Sequence, residues 1–238
     1  MRKRRIGIAL IVGGFLVFAY VAAVLLWRDP ATHLYNRYQQ DRLESALAGE
    51  FEAWDVAFPP AEEHEARSDG EGAAAGRALA SRDARRFLAT LEQGQAFGRL
   101  EIPRIDVDTV VVHGTRWGAD LARGPGHYER TTVPGLGRTV GIAGHRTTFG
   151  APFRDIDDIR VGDTITLGMP YATFRYRVFA HEIVESDDWS VIRNRGFDTI
   201  MLSACHPLYS AAQRWIVYGR LVEVRPRNGT AYRLGQVR

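Results

Sequence analysis

Hydrophobic and polar positions along this chain fall into three successive patterns. From Ile6 to Trp27 no charged residue interrupts an apolar run. As a helix rising 1.5 Å per residue it reaches roughly 30 Å, enough to cross a bilayer. It is apolar on every face, which argues against a core helix of a soluble domain. Over residues 31–58 the pattern becomes mixed, and Leu43, Leu47, Phe51 and Trp54 recur at helical spacing. A juxtamembrane amphipathic helix is expected there, ending near Pro59-Pro60. Residues 61–80 are rich in Glu, Gly and Ala, a composition that predicts a flexible linker. One more helix is expected between Ser81 and Gln93. From Phe97 onward the period shortens to that of strands, over 99–103, 107–113, 139–143, 163–167, 174–185, 199–203 and 214–224. Leu121 to Tyr128 reads as a short helical turn broken at Gly124-Pro125-Gly126. Many short strands separated by turn residues predict an all-β barrel or sandwich.

The chain therefore divides into four expected parts. Residues 1–28 hold a basic cluster and a transmembrane anchor. Residues 29–94 hold a juxtamembrane helix and linker. Residues 95–225 form the β domain, and 226–238 form a loose polar tail. Asn228-Gly229-Thr230 matches a glycosylation sequon in that tail, and a chance match is preferred.

Composition narrows the function classes. The 238 residues are 45% hydrophobic with a net charge of +3. Lys3 is the only lysine, and outside residues 2–5 the arginines are scattered. No basic stripe interleaved with aromatics points to nucleic acid. The cluster Arg2-Lys3-Arg4-Arg5 precedes the apolar run, which places the N-terminus in the cytoplasm and the β domain outside. The run is longer than the core of a cleaved signal peptide and ends in Leu25-Leu26-Trp27-Arg28, so retention as an anchor is expected.

Cys205 is the only cysteine, which excludes an intrachain disulfide and any CxxC motif. A lone cysteine is most often a small buried hydrophobe, so its surroundings decide its role. It ends the apolar strand Thr199–Ser203. Arg214 opens the next strand, and His145 ends the strand at 139–143. A thiol attacks a carbonyl as thiolate, which a nearby cation favours. An imidazole can hold a proton and deliver it to a leaving amine. A guanidinium can donate hydrogen bonds to the oxyanion formed on attack. A histidine that precedes the cysteine, on a separate strand, argues against papain-like enzymes. His206 directly follows Cys205 and points away from it by strand alternation. Arg220 shares the face of Arg214 by alternation and lacks motif support. His113 and His181 read as structural. Asp155-Ile156-Asp157-Asp158 lacks the EF-hand spacing and glycine, so no metal is expected.

At these residues the chain resembles a sortase, the cysteine transpeptidase of Gram-positive cell surfaces, over about 95–225. The matching stretches are Gly124-Pro-Gly-His-Tyr128, Ala143-Gly-His-Arg-Thr-Thr-Phe-Gly-Ala-Pro-Phe153, Leu202-Ser-Ala-Cys-His-Pro207 and Arg214-Trp-Ile-Val217. Within the family they look most like class E. The resemblance implies an eight-stranded sortase barrel with short helices and no cofactor. It also implies cleavage of a Leu-Pro-X-Thr-Gly or Leu-Ala-X-Thr-Gly sorting signal between Thr and Gly. The acyl group would pass to Cys205 and then to an amine of a cell-wall precursor. Carried over by motif, Cys205 is the nucleophile, His145 the general acid/base and Arg214 the substrate and oxyanion clamp. Tyr128, Ser203 and Ala204 are implied as substrate contacts, with Arg146 behind His145 and the loop around Trp189 walling the groove.

One departure stands out. Sortases usually read Thr-Leu-X-Thr-Cys, and this chain reads Met201-Leu-Ser-Ala204-Cys205. A missing hydroxyl contact would cost about 0.5–1.5 kcal/mol, so reduced or retuned activity is expected. Two other readings therefore stay open: hydrolytic release of the same substrates, and a catalytically weak barrel that binds sorting signals or acts as a scaffold.

Overall fold

The computed structural model describes residues 2–26, 30–59, 70–229 and 231–234. Three helices lead the chain: α1 (Arg2–Leu26), α2 (Pro30–Ala57) and α3 (Gly70–Thr90). Nine strands follow: β1 (Ala96–Ile102), β2 (Val107–His113), β3 (Gly126–His127), β4 (Thr139–Gly144), β5 (Thr164–Met169), β6 (Ala172–Glu185), β7 (Thr199–His206), β8 (Gln213–Pro226) and β9 (Tyr232–Arg233). The sheet order is β6-β5-β1-β2-β3-β4-β7-β8-β9, and β6 also pairs with β8. That second pairing closes strands β1 to β8 into an eight-stranded barrel and leaves β9 as an addition along β8. Closure leaves no free edge around the ring, the usual hazard of an all-β domain.

The barrel interior is filled by alternate residues of each strand. Leu100, Ile102, Val111, Val140, Ile142, Ile165, Phe174, Ile200, Leu202 and Val217 belong to one buried cluster. β2 is buried on both faces, which explains its unbroken Val110-Val111-Val112. Val111 enters the barrel, while Val110 and Val112 lie beneath Leu43 and Leu47 of α2. The stripe expected on α2 is thus the face that docks, with Phe51 half-buried beside it.

Gln40 on the same helix substitutes for a strand neighbour. Its side-chain oxygen accepts from the Val110 N–H at 2.8 Å, and its nitrogen donates to the Val110 carbonyl at 3.1 Å. Both ladder groups of a β2 residue outside the short β3 pairing are satisfied in this way.

Several expectations are corrected. Residues 70–80 are not a linker, because α3 begins at Gly70 and runs on through most of the helix expected from Ser81, ending at Thr90. Residues 60–69 of the expected linker lie outside the described residues. Ala80, Ala84 and Phe87 of α3 join Trp54 of α2 in the main core, and the Ser81 hydroxyl donates to the Gly135 carbonyl at 2.7 Å. Alanine-rich sequence that looks too poor to bury apolar surface gains its partner from the barrel. The described parts of this segment, 30–59 and 70–94, are therefore packed against the barrel through α2 and α3. Nor is the segment after Pro226 loose: Arg227 pairs with Asp55 of α2, the Asn228 amide donates to the Phe58 carbonyl, and Tyr232 is buried on β9. Residue 230 and residues 235–238 lie outside the described residues.

The helical turn expected at 121–128 ends as β3, which pairs parallel to β2 and antiparallel to β4. Two residues carry no readable period. Only the neighbouring strands reveal them as a rung of the barrel.

α1 is long and apolar enough to cross a membrane over Arg4–Ala22. Leu10, Phe15 and Phe18 are each about 70% exposed, at 72%, 69% and 71%. Such a surface has no partner within the described residues and suits a lipid environment.

Candidate active site

The site lies where β4, β7 and β8 end together. β4 runs parallel to β7, with Gly144 opposite Ala204. The next residues, His145 and Cys205, thus leave the barrel at one level. β7 runs antiparallel to β8, and Cys205 pairs directly with Arg214. Side chains of directly opposed residues sit about 4.5–5.5 Å apart at Cβ. The three residues singled out from the sequence therefore meet at one mouth of the barrel.

Alternation sorts the neighbours. Ile200, Leu202 and Ala204 belong to the interior cluster, so Met201, Ser203 and Cys205 face outward. On β4, Val140 and Ile142 point in. A Cβ on Gly144 would strike the Phe153 ring, so that position also faces inward and His145 faces out. On β8, Val217 is interior, whereas Ile216 and Tyr218 form an outer cluster with Met201 that Tyr128 flanks. Tyr128 lies over Gly141, where a Cβ would come within 2.9 Å of its ring. That glycine lets the aromatic settle flat against the outside of the sheet.

Ser203, Tyr128, Ile216 and Arg214 border a small cavity, with Trp189 and Ile192 on its far side. Burial raises the Tyr128 phenol, while the Ser203 hydroxyl and the Arg214 cation oppose it. The Tyr128 and Ser203 positions thus share the Cys205 face. Ala204 does not. Its methyl is 2% exposed inside the barrel, and its expected role as a side-chain substrate contact is corrected. A hydroxyl at 204 would point into the core, so the departure at this position removes nothing from the outer face.

His145 sits at the head of a loop whose N–H and C=O groups are tied back to the fold. Its own carbonyl accepts from Phe153 N–H at 3.0 Å. Burial holds the imidazole pKa below its ordinary value, favouring the neutral ring. Its buried Nε2 has no hydrogen-bond partner among the described residues. A polar atom buried without a partner is costly, so this nitrogen keeps unused hydrogen-bonding capacity.

Arg214 is oriented by its own backbone surroundings. One terminal nitrogen, Nη1, donates to the carbonyls of Ala211 and Gln213, both at 2.9 Å. Among the described residues no carboxylate pairs with it, so the rest of its donor fork remains available. Arg220, the other arginine of that face, lies over the Phe197 ring at 3.8 Å and pairs across from Thr199, at the opposite end of β7 from Cys205. Strand parity alone could not separate the two. Register does.

The remaining candidates have other tasks. His206 packs beside Trp215 at 5.4 Å, and His181 stacks on that indole at 5.7 Å. Arg146 is buried beneath the His145 loop, donating to Asp157 at 2.6 Å and to the Arg154 carbonyl at 2.9 Å. One carboxylate of the acidic run 155–158 is thereby used as its counter-ion. Trp189 opens a short 3-10 turn capped by Asp188, and meets Tyr128 edge-on at 6.2 Å. Sequence reasoning quoted Phe149 within the stretch 143–153 but gave it no role, and its ring lies 5.3 Å from the His145 imidazole. Its signal was its place in that stretch, four residues after the histidine.

Comparison with known proteins agrees with this geometry. The family model for the sortase domain matches residues 100–222. Sortase D of Bacillus subtilis (strain 168) is 35% identical over 135 residues, covering 55% of this chain and 66% of that protein. Sortase SrtE1 of Streptomyces coelicolor is 34% identical over 159 residues, covering 60% and 45% respectively. The chain thus spans less than two thirds of the length of these curated relatives. The crystal structure of sortase E1 from Streptomyces coelicolor, with a tripeptide in its active site, superposes with a TM-score of 0.54 at 32% identity. It covers 57% of this chain and 94% of that one. A family match over more than half of the chain, on a closed barrel of this strand order, makes this protein a member of the sortase family, with class E among its relatives.

Proposed function

We propose that this protein is a membrane-anchored cysteine transpeptidase that cleaves a Leu-Ala-X-Thr-Gly or Leu-Pro-X-Thr-Gly sorting signal between Thr and Gly. Members of the family are cysteine transpeptidases, and the observation that carries the reading is the convergence of Cys205, His145 and Arg214 at one barrel mouth. The neutral His145 ring takes the Cys205 thiol proton, the resulting Sγ thiolate attacks the Thr carbonyl carbon, and the free donors of Arg214 hold the oxyanion. His145 delivers a proton to the departing glycine amine, which leaves a thioester on Cys205. An amine of a cell-wall precursor then attacks the thioester. His145 takes up its proton, the transpeptide bond forms, and the thiolate leaves. Tyr128 and Ser203 border the acyl side of the groove. The tripeptide in the Streptomyces enzyme is the kind of ligand such a groove takes.

The partners are surface proteins bearing sorting signals. α1 is the anchor, with Arg2-Lys3-Arg4-Arg5 on the cytoplasmic side and the barrel outside. The inward methyl of Ala204 takes away the main reason for reading the barrel as a weak binder.

The test mixes the protein and a Cys205→Ala control with quenched peptides of both signals, with and without an amine acceptor. Cys205-dependent cleavage with an amine-joined product supports the proposal. Cys205-dependent cleavage that gives only the free acid, whatever the acceptor, replaces it with hydrolytic release. No cleavage of either peptide by folded protein overturns it.

A further inference from the structure

The loop that carries His145 is not held by the barrel alone. The Phe149 N–H donates to the hydroxyl of Thr32, in the first turn of α2, at 2.9 Å. One turn on, the Tyr35 ring meets the Phe149 ring edge-on at 6.4 Å. The other side of Phe149 covers His145 at 5.3 Å. Beside it, Gly150 has φ of 77°, and a Cβ there would collide with the Asn36 side chain. Phe149 and Ala151 themselves adopt positive φ, 49° and 46°. For residues with a Cβ that conformation persists only where surrounding structure holds it. Here holding contacts come from a helix more than a hundred residues earlier in the sequence, joined by Trp117, whose ring meets Phe149 edge-on at 6.2 Å.

We propose that the first turns of α2 are a positioning element of the active site: Thr32 and Tyr35 fix Phe149, and Phe149 fixes the His145 imidazole. This rests on the reading of His145 as the acid/base. It goes beyond that reading because it makes the segment after the membrane helix part of the catalytic unit rather than a spacer. The helix is well suited to the role. Leu43, Leu47 and Gln40 anchor it to β2 further along, so its N-terminal turns project rigidly over the loop. Thr32 is six residues beyond the end of α1. An extended chain of that length spans at most about 20 Å, which keeps the His145 loop near the point where the chain leaves the apolar helix.

The experiment uses the full chain in lipid nanodiscs. Thr32→Val and Tyr35→Ala are compared with the conservative Thr32→Ser and Tyr35→Phe, and with His145→Ala. Thermal melts establish that the barrel and α2 remain docked. Thr32→Val and Tyr35→Ala are expected to lower kcat about tenfold with KM little changed, since small displacements of a reacting group cost that much or more. Thr32→Ser and Tyr35→Phe restore it, because the acceptor oxygen and the ring edge return. With the cover over His145 loosened, its imidazole resonance in a pH titration moves up toward 6.5, the ordinary value. A purely structural role for α2 would lower the melting temperature and leave both the kcat split and the His145 titration unmoved. If His145→Ala is inactive while Thr32→Val and Tyr35→Ala turn over at the native kcat, the positioning proposal fails and the acid/base reading stands. If His145→Ala is active, the acid/base reading fails and takes the proposal with it.

Discussion

His127 is fully buried and His145 half-buried, and burial holds both imidazoles below their ordinary pKa. Their hydrogen bonding separates them. His127 is fully committed: Nε2 donates to the Thr132 carbonyl at 2.9 Å, Nδ1 accepts from His113 Nδ1 at 2.9 Å, and the ring stacks on Phe97 at 4.0 Å. The Thr132 carbonyl can only accept, which fixes both tautomers of the pair. His145 has a buried Nε2 without a partner among the described residues. A depressed pKa is thus common to a structural histidine and a candidate acid/base. What distinguishes the second is unused hydrogen-bonding capacity beside a thiol and a guanidinium.

Removing each imidazole gives the largest contrast. His145→Ala should reduce turnover of the sorting peptide by about 10²–10⁴, the range of general acid/base catalysis, with an unchanged melting curve. His127→Phe should leave turnover within a few-fold of native and instead lower the denaturant midpoint. It leaves the Thr132 carbonyl and the His113 N–H unpaired, at about 1–3 kcal/mol for each buried orphan. Equal turnover losses in the two variants would erase the distinction.

Arg214→Lys comes next. It keeps the charge but loses the fork that reaches past the Ala211 and Gln213 carbonyls. A loss of about 10²-fold in kcat is expected, as for an oxyanion donor, and native turnover would remove the clamp role.

The acid limb of stability sharpens the comparison further. Burial depresses folded His127 from 6.5 to about 3. Between those values the unfolded chain binds a proton that the folded chain refuses, so stability falls as pH drops from about 6.5 toward 3. Chemical denaturation at steps of pH should show that limb in the native protein and a flatter one in His127→Phe. An unaltered slope would place the titration elsewhere. The smallest effect is expected at the edge of the groove. Tyr128→Phe keeps the ring over Gly141 and loses one hydroxyl beside Ser203, raising peptide KM only a few-fold, in line with about 0.5–1.5 kcal/mol for one hydrogen bond.

Local sequence determined much of this molecule. The uninterrupted apolar run of α1, the Leu43-Leu47-Phe51-Trp54 stripe and seven of the strands follow from period alone, because each element buries a face that the sequence spells out. Cys205, His145 and Arg214 were legible because their residue types and order permit one kind of chemistry. The rest depended on partners distant in the chain. β3 is two residues long and exists only because β2 and β4 flank it. The alanines of α3 and the residues after Pro226 look unable to pack until the barrel offers them a surface. Alternation puts Ser203 on the Cys205 face and Ala204 opposite it, and the closed barrel makes the Ala204 face the interior. Phe149 acquires its place between Tyr35 and His145 from a contact spanning 114 residues in one direction and four in the other. Periodicity is a local property and chemistry belongs to residue type, so both can be read along the chain. Which face, which level and which neighbour are set by closure of the barrel.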